Sequence, residues 1–328
     1  MNVSLRRLLT TCASCAALAA TAAQAVDNYP SRPIRLLVPY AIGGNADIMA
    51  RLVSQRLADR LGQQIVVDNR PGAAGMIATE IAARAVPDGY TMLIISSSHT
   101  VNPSLIRKLP YDSMKDFSPV SPVGSTPMLV VVHPSVPANS IKDLIALAKA
   151  KPGYINFGSN GNGSPANLAG ALLNHMMGIN LVHVAYKGTA QATTDVLAGH
   201  VQLGFPSMTS VLPHVKAGKL KALAITSAQR STVVPELPTV AEAGVPGYQT
   251  GIWVGLLLPA AAPRPIVNQL NTELGKVLSA PETRERFTRM GADVLYSSPA
   301  EFTAFMKTEM AKWAKVIKEA GIRVDLVR

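Results

Sequence analysis

Three glycine-bearing loops, each following a β-rich run, are the segments of this sequence best composed for chemistry. They are Gly43-Gly44-Asn45-Ala46-Asp47, residues 69–75, and Ser159-Asn160-Gly161-Asn162-Gly163-Ser164. The first and third lead into segments with helical spacing. The N–H groups of a helix's first turn have no acceptor within the helix and sit at its positive dipole end, so they favour an anion. Glycine lets a carboxylate or phosphate approach such a backbone closely. Two of these termini facing one cleft would clamp an anion from both sides, although any one loop taken alone is equally well read as a turn. Gly161-x-Gly163-x-x-Ala166 also has the form of a dinucleotide fingerprint. The ribose-binding acid expected about 20 residues further on is missing, because Tyr186-Lys187 stands there, and no nucleotide cofactor is expected.

Other chemistry lacks its residues. The chain carries no Gly-x-Ser-x-Gly elbow, Walker loop or His-Glu-x-x-His motif, so no catalytic residue is assigned. Its six histidines, His99, His133, His175, His183, His200 and His214, have no metal-ligand spacing, and no metal or cofactor is expected. Of these, His99 alone follows a strand end and could face a cleft. A formal charge of +11 is spread along the chain without basic runs interleaved with aromatics, which make up only 5% of it. That composition reads as a solvated basic surface and argues against nucleic acid as a partner.

The loops need a scaffold, and the periodicity supplies one. Residues 1–25 read as a removable signal peptide: Arg6 and Arg7 form the positive end, residues 8–23 are uncharged, and Ala23-Gln24-Ala25 is the cleavage pattern, with cleavage expected after Ala25. Both cysteines, Cys12 and Cys15, leave with it, so disulfides, thiolate metal sites and cysteine nucleophiles are excluded together. Thereafter short β-rich runs alternate with amphipathic segments, the rhythm of α/β domains with largely parallel sheets. Strands are expected at residues 34–38, 65–67, 90–95, 155–157, 181–186, 203–205, 221–226 and 253–258. Helices are expected from Ile48 to Leu61, over residues 77–86 and 144–150, and from the capping-box pattern Ser298-Pro299-Ala300-Glu301 onward. That last helix carries Phe302, Phe305, Met306, Trp313, Val316 and Ile317 on one face, a core stripe. Two proline-rich segments, 117–137 and 233–247, read as crossings between domains. The resulting division is residues 26–124 with 248–328 as a discontinuous first domain and 125–247 as the second, with a ligand cleft between them.

A series of short motifs along the same residues carries a family resemblance. They are Tyr29-Pro30-Ser31-Arg32-Pro33-Ile34, Gly43-Gly44-x-x-Asp47, Asn69-Arg70-Pro71-Gly72-Ala73-Ala74-Gly75 and Pro87-Asp88-Gly89-Tyr90-Thr91. Asn102-Pro103-Ser104-Leu105, Leu109-Pro110-Tyr111-Asp112, Ser159-Asn160-Gly161-Asn162-Gly163, Tyr186-Lys187-Gly188, Ala217-Gly218-Lys219-Leu220 and Leu237-Pro238-Thr239-Val240-x-Glu242-x-Gly244 follow in order. Singly these are weak; in this order and spacing the chain resembles the Bug (tripartite tricarboxylate transporter) family of extracytoplasmic solute receptors along nearly its whole length.

The resemblance implies a type II periplasmic-binding-protein fold, two α/β domains that close on a small organic anion. It further implies delivery to a permease with one large and one small membrane subunit, a location in the periplasm, and no enzymatic activity. By position it assigns ligand contacts to Tyr40, Gly43, Gly44, Asn45 and Asp47 in the first loop and to Ser159, Asn160, Gly161, Asn162, Gly163 and Ser164 in the facing one. Ser97, Ser98, His99, Tyr186, Lys187, Gly188, Pro206 and Ser207 complete the set. Within it, Asp47 suits capping its helix or ordering water, since its own charge would repel an anion. Two positions depart from the family pattern: Ile42 replaces a proline, and Pro206-Ser207 replaces Asp-Asn. A missing acid on a cleft wall points to a carboxylate or dicarboxylate, aromatic ones included, rather than an amino acid. A monomer is expected, and a sensor protein is a second conceivable partner. The competing readings are a secreted α/β hydrolase or lyase using His99 or Lys187, a binding protein that serves sensing, and a secreted adhesion or scaffolding protein.

Overall fold

Ile34-Arg35-Leu36-Leu37-Val38 is apolar at four of five positions, and in the computed structural model it forms strand β1 (Ile34–Val38), an interior strand of a sheet. The structure describes residues 29–322 except Ala41 and Lys187, so the expected leader, its cysteines and the Lys187 assignment lie outside the described residues. Strands β2 (Ile65–Asn69) and β3 (Thr91–Ser96) flank β1 in parallel. Met92, Leu93, Ile94 and Ile95 of β3 are all buried, as a continuous apolar run covered on both faces must be. Strand β4 (Phe117–Thr126) leaves this sheet for the second one, whose strands are β5 (Leu129–Val132), β6 (Asn156–Ser159), β7 (Val182–Ala185), β8 (Leu203–Gly204) and β9 (Lys221–Ile225). The chain then returns as β10 (Ile252–Pro259) and β11 (Asp293–Val294), giving the orders β11-β4-β10-β3-β1-β2 and β7-β6-β8-β5-β9.

Helices cover both sheets, and their limits follow local chemistry. Helix α1 (Asn45–Leu61) buries Met49, Val53 and Leu57 and stops at Gly62, which takes the left-handed conformation at φ 68°. Helix α2 (Met76–Ala83) ends short of the expected residue 86, because Val86 precedes Pro87 and is disfavoured in a helix. Helices α3 (Ser98–Leu105), α4 (Ile141–Ala150), α5 (Pro165–Met177), α6 (Thr189–Leu197), α7 (Met208–Lys216), α8 (Arg264–Ser279) and α9 (Pro281–Arg289) follow. The last, α10 (Pro299–Glu319), opens with the expected capping box between Ser298 and Glu301. Its stripe is core, as expected, but of two cores. Phe302 and Met306 pack with Trp253 and Leu257 of the first sheet, whereas Trp313, Val316 and Ile317 join the cluster beneath the second.

The crossing between sheets is a hydrogen-bonded ladder. Thr126 pairs with Ile252 on the first side and Leu129 with Ile225 on the second. Between them the Thr226 N–H donates to the Met128 carbonyl at 2.9 Å, and the Met128 N–H donates to Thr226 Oγ1 at 3.1 Å. The Thr250 N–H closes the junction on the Thr226 carbonyl at 3.0 Å. The proline-rich segment 233–247 is therefore not itself the second crossing. Val234, Val240 and Val245 are buried against the second sheet, and the segment that leads back into β10 runs through Thr250.

Because Thr226 is fully buried and supplies the acceptor for a buried N–H, Thr226→Val should lower unfolding stability by about 1–3 kcal/mol. Thr226→Ser keeps the acceptor and should stay much closer to the parent. Urea unfolding of the three proteins measures the difference.

Candidate functional site

A strand followed by a helix in a parallel arrangement brings the strand's C-terminal end and the helix's N-terminus to one edge of the sheet. Helix α1 follows β1, α5 follows β6, α6 follows β7 and α7 follows β8. First-turn or capping residues of all four, Asn45, Pro165 with Ala166, Thr189, and Ser207, line a single cavity of about 210 Å³. Asn45 and Ile252 reach it from the first domain and most of the rest of the wall comes from the second, so the cavity lies between the two. No described residue lining it is charged.

The two facing loops share one construction. Gly43, at φ 82°, donates its N–H to Asp47 Oδ2 at 2.9 Å; Gly163, at φ 74°, donates its N–H to Asn167 Oδ1 at 2.9 Å. In each case a left-handed glycine turns the chain back onto the side chain four residues ahead, in the first turn of the helix. Gly44 and Ser164 then cap α1 and α5 in nearly the same extended conformation, at φ −74° and −67°. Ser164 Oγ accepts from the Asn167 N–H at 3.3 Å.

Asp47 is turned inward, 1% exposed, accepting also from Asn69 Nδ2 at 2.8 Å and Arg51 Nε at 3.0 Å. Burial pushes its carboxyl upward, but the Gly43 N–H, the Asn69 amide and the Arg51 guanidinium outweigh that and hold it below its ordinary range. It fastens the loop, in keeping with its capping role. Asn69 ties the second glycine-bearing loop to the first through the Tyr40 carbonyl at 3.1 Å, so residues 69–75 buttress the site.

The other expected residues fall into three groups. Asn45, Ser159, Asn160, Pro206 and Ser207 line the cavity. Tyr40, Ser97, Ser98, Gly161, Tyr186 and Gly188 do not line it. The Tyr40 hydroxyl meets Ser96 Oγ at 2.6 Å and Ser98 Oγ at 3.0 Å, and the Ser97 N–H is spent on the Trp253 carbonyl at 3.0 Å. Ser159 Oγ accepts from the Gly161 N–H at 3.1 Å and lies 2.6 Å from His183 Nε2, while Gly188 caps α6. Tyr186 donates to Asp195 Oδ2 at 2.7 Å; burial first, then that carboxylate, pushes its phenol up to about 12.

Two residues lie elsewhere. Asn162 opens onto a separate depression beside Asn167, His175 and His183. His99 is not in the cleft: it is 3% exposed, donates Nε2–H to the Ser113 carbonyl at 2.9 Å, lies parallel to Tyr111 and meets Phe117 edge-to-face. A histidine directly after a strand end enters a helix here, and its second position faces the interior.

Residues that sequence reasoning missed are Thr189 and Thr193 on α6 and an apolar group, Met128, Val131, Val196, Leu220 and Ile252. Gly188-Thr189, a helix start after a strand, was the available signal for the first pair. Nothing in the pattern separates the second group from ordinary core.

The sequence profile described as "Tripartite tricarboxylate transporter family receptor" matches residues 49–322. Protein BugT of Bordetella pertussis is 38% identical over 300 residues, 91% of this chain and 92% of its own. Among solved structures, R. palustris Rpa4515 with adipate is 36% identical with a TM-score of 0.76, covering 90% of this chain and all of its own. MatC from Rhodopseudomonas palustris with bound malate is 32% identical with a TM-score of 0.72, covering 88% of this chain and 100% of its own. The expected two-domain type II periplasmic-binding-protein fold is the one the chain adopts.

His99 yields a pH prediction. Burial pushes it down from 6.5 to about 4, only partly opposed by the Ser113 carbonyl. The unfolded chain therefore binds a proton that the native protein refuses. Stability is full above about pH 6.5 and falls by about 3 kcal/mol as pH drops toward 4. An NMR titration should find one histidine ring still neutral at pH 5, and urea unfolding of His99→Asn should lose that part of the pH dependence.

Proposed function

We propose, from the premise that the chain belongs to the tripartite tricarboxylate transporter receptor family, that it is a periplasmic receptor for a small organic carboxylate. It takes its ligand between the two domains and presents it to a permease made of a large and a small membrane subunit. The observation that carries the ligand class is the convergence of four helix N-termini on one cavity. Backbone N–H groups and positive dipole ends are a carboxylate site without any cation. Thr189 and Ser207 add hydroxyls that can donate.

The similar proteins solved with adipate and with malate make dicarboxylates natural first candidates, with aromatic carboxylates beside them. An amino acid fits less well, because no described residue of the wall is an acid that could meet its ammonium group. The binding cycle is closure about the ladder through Met128, Thr226 and Thr250, the ligand favouring the closed form by touching both domains. The leader at residues 1–25 supports export to the periplasm.

Asn45→Asp tests this reading cleanly. An acid in the first turn suits the helix, so the fold is kept, while the new charge at the cavity wall repels an anion. Calorimetry with a panel including adipate, malate and benzoate should find a one-to-one ligand whose affinity falls roughly tenfold or more in the variant. Equal affinity in both proteins would mean that no carboxylate sits at that helix end.

A further inference from the structure

The wall of the cavity is two-sided in chemistry. Its polar members, Asn45, Ser159, Asn160, Thr189 and Ser207, belong to the helix starts and strand ends where the domains face each other. Thr193 on α6 adds one more hydroxyl, and the rest of the lining is apolar or glycine; within it Met128, Val131, Val196, Phe205 and Leu220 are each 2% exposed or less. Val131, Val196 and Leu220 are members of the apolar cluster between β5, α6 and α7, whereas Met128 and Phe205 pack with the cluster on the other face of the sheet. The cavity thus continues from a polar mouth into the second domain's own core. Two glycines help to keep that inner part open. A Cβ on Gly204 would stand 3.3 Å from Val196 Cγ2 and 3.6 Å from Val131 Cγ2, and one on Gly158 would stand 3.4 Å from the Ala192 methyl.

A space of this kind has a definite preference. A cavity of roughly 150 Å³ lined by Leu, Ile and Phe stays dry and accepts benzene. The present one, at about 210 Å³, is larger but shared between the two kinds of wall. A charged group pushed into the inner part would lose its hydration without gaining donors, whereas apolar surface entering it leaves water.

We propose that the inner chamber bounded by Val131, Ala192, Val196 and Leu220 is a subsite for an uncharged apolar group, so that the preferred ligand is a monocarboxylate carrying a ring or short hydrocarbon chain. This rests on the carboxylate-receptor reading and narrows it. The carboxylate stays at the helix starts, the apolar body occupies the chamber, and the end remote from the carboxylate carries no charge.

Calorimetry on the intact mature protein with straight-chain monocarboxylates from acetate to octanoate, with phenylacetate, and with succinate, malate and adipate tests it. Affinity should rise about threefold to fourfold per methylene until the chamber is full, and phenylacetate should outrank all three diacids. Ala192→Leu, which adds bulk at the chamber wall, should move the optimum to shorter chains. Leu220→Ala should move it to longer ones. Near-UV circular dichroism checks that each variant is folded, and the wild-type series decides the matter if either is not. Affinity independent of chain length, or diacids bound in preference to monoacids of equal length, overturns this inference and leaves the carboxylate reading standing. Binding of no carboxylate in either series overturns both.

Discussion

The unpaired N–H groups at helix starts govern how this protein is built. A parallel strand followed by a helix places those groups on one edge of a sheet, and the chain makes such an edge twice, once in each domain. Turning the two edges toward each other sets α1 against α5, α6 and α7 around one space. The left-handed glycines, the buried Asp47 and Asn167, and the capping Ser164 all serve to hold those helix starts in place.

Two domains that face one another must be joined firmly yet be able to turn. The junction meets the first need with main-chain bonds among Met128, Thr226 and Thr250, reinforced by the Thr226 hydroxyl, between one sheet and the other. A narrow ladder resists sliding and tearing but can twist, which suits hinge motion better than shear. Helix α10 adds a second tie, since its first half packs on the first core and its last turns on the second. Whatever rotation occurs must be accommodated along that helix as well as at the strands.

Much of this was legible in the residues. The strand-helix rhythm, the glycine loops, the capping box at Ser298 and the stripe from Phe302 to Ile317 all rest on local patterns that fix local structure. What stayed hidden depended on distance through space. Nothing near His99 in sequence indicates that Tyr111, Ser113 and Phe117 close over it. The stripe on α10 reads as one core face, yet two separate cores share it. Segment 233–247 has the composition of a connector and still packs as part of a domain, because Val234, Val240 and Val245 find apolar partners far away in the chain. Leu220 and Val131 look like any buried core residues; only their place beside the cavity that Gly158 and Gly204 also line turns them into a wall.

The paired loops also explain how an acid can stand so near the proposed anion site. Asp47 and Asn167 occupy equivalent places, each accepting from the glycine four residues back. The amide in the second domain needs no further support. The carboxylate in the first requires Arg51 and Asn69, and with them its charge is balanced away from the cavity. Among the described residues of the cavity wall, dipoles rather than a fixed cation are then left to meet the proposed ligand. A buried ion pair is difficult to part once formed, because each charge must be left unpaired or be rehydrated. Hydrogen bonds to oriented N–H groups lose less when the domains separate, since water can replace each of them as it enters. A receptor that must both hold its ligand and give it up is better served by the second arrangement.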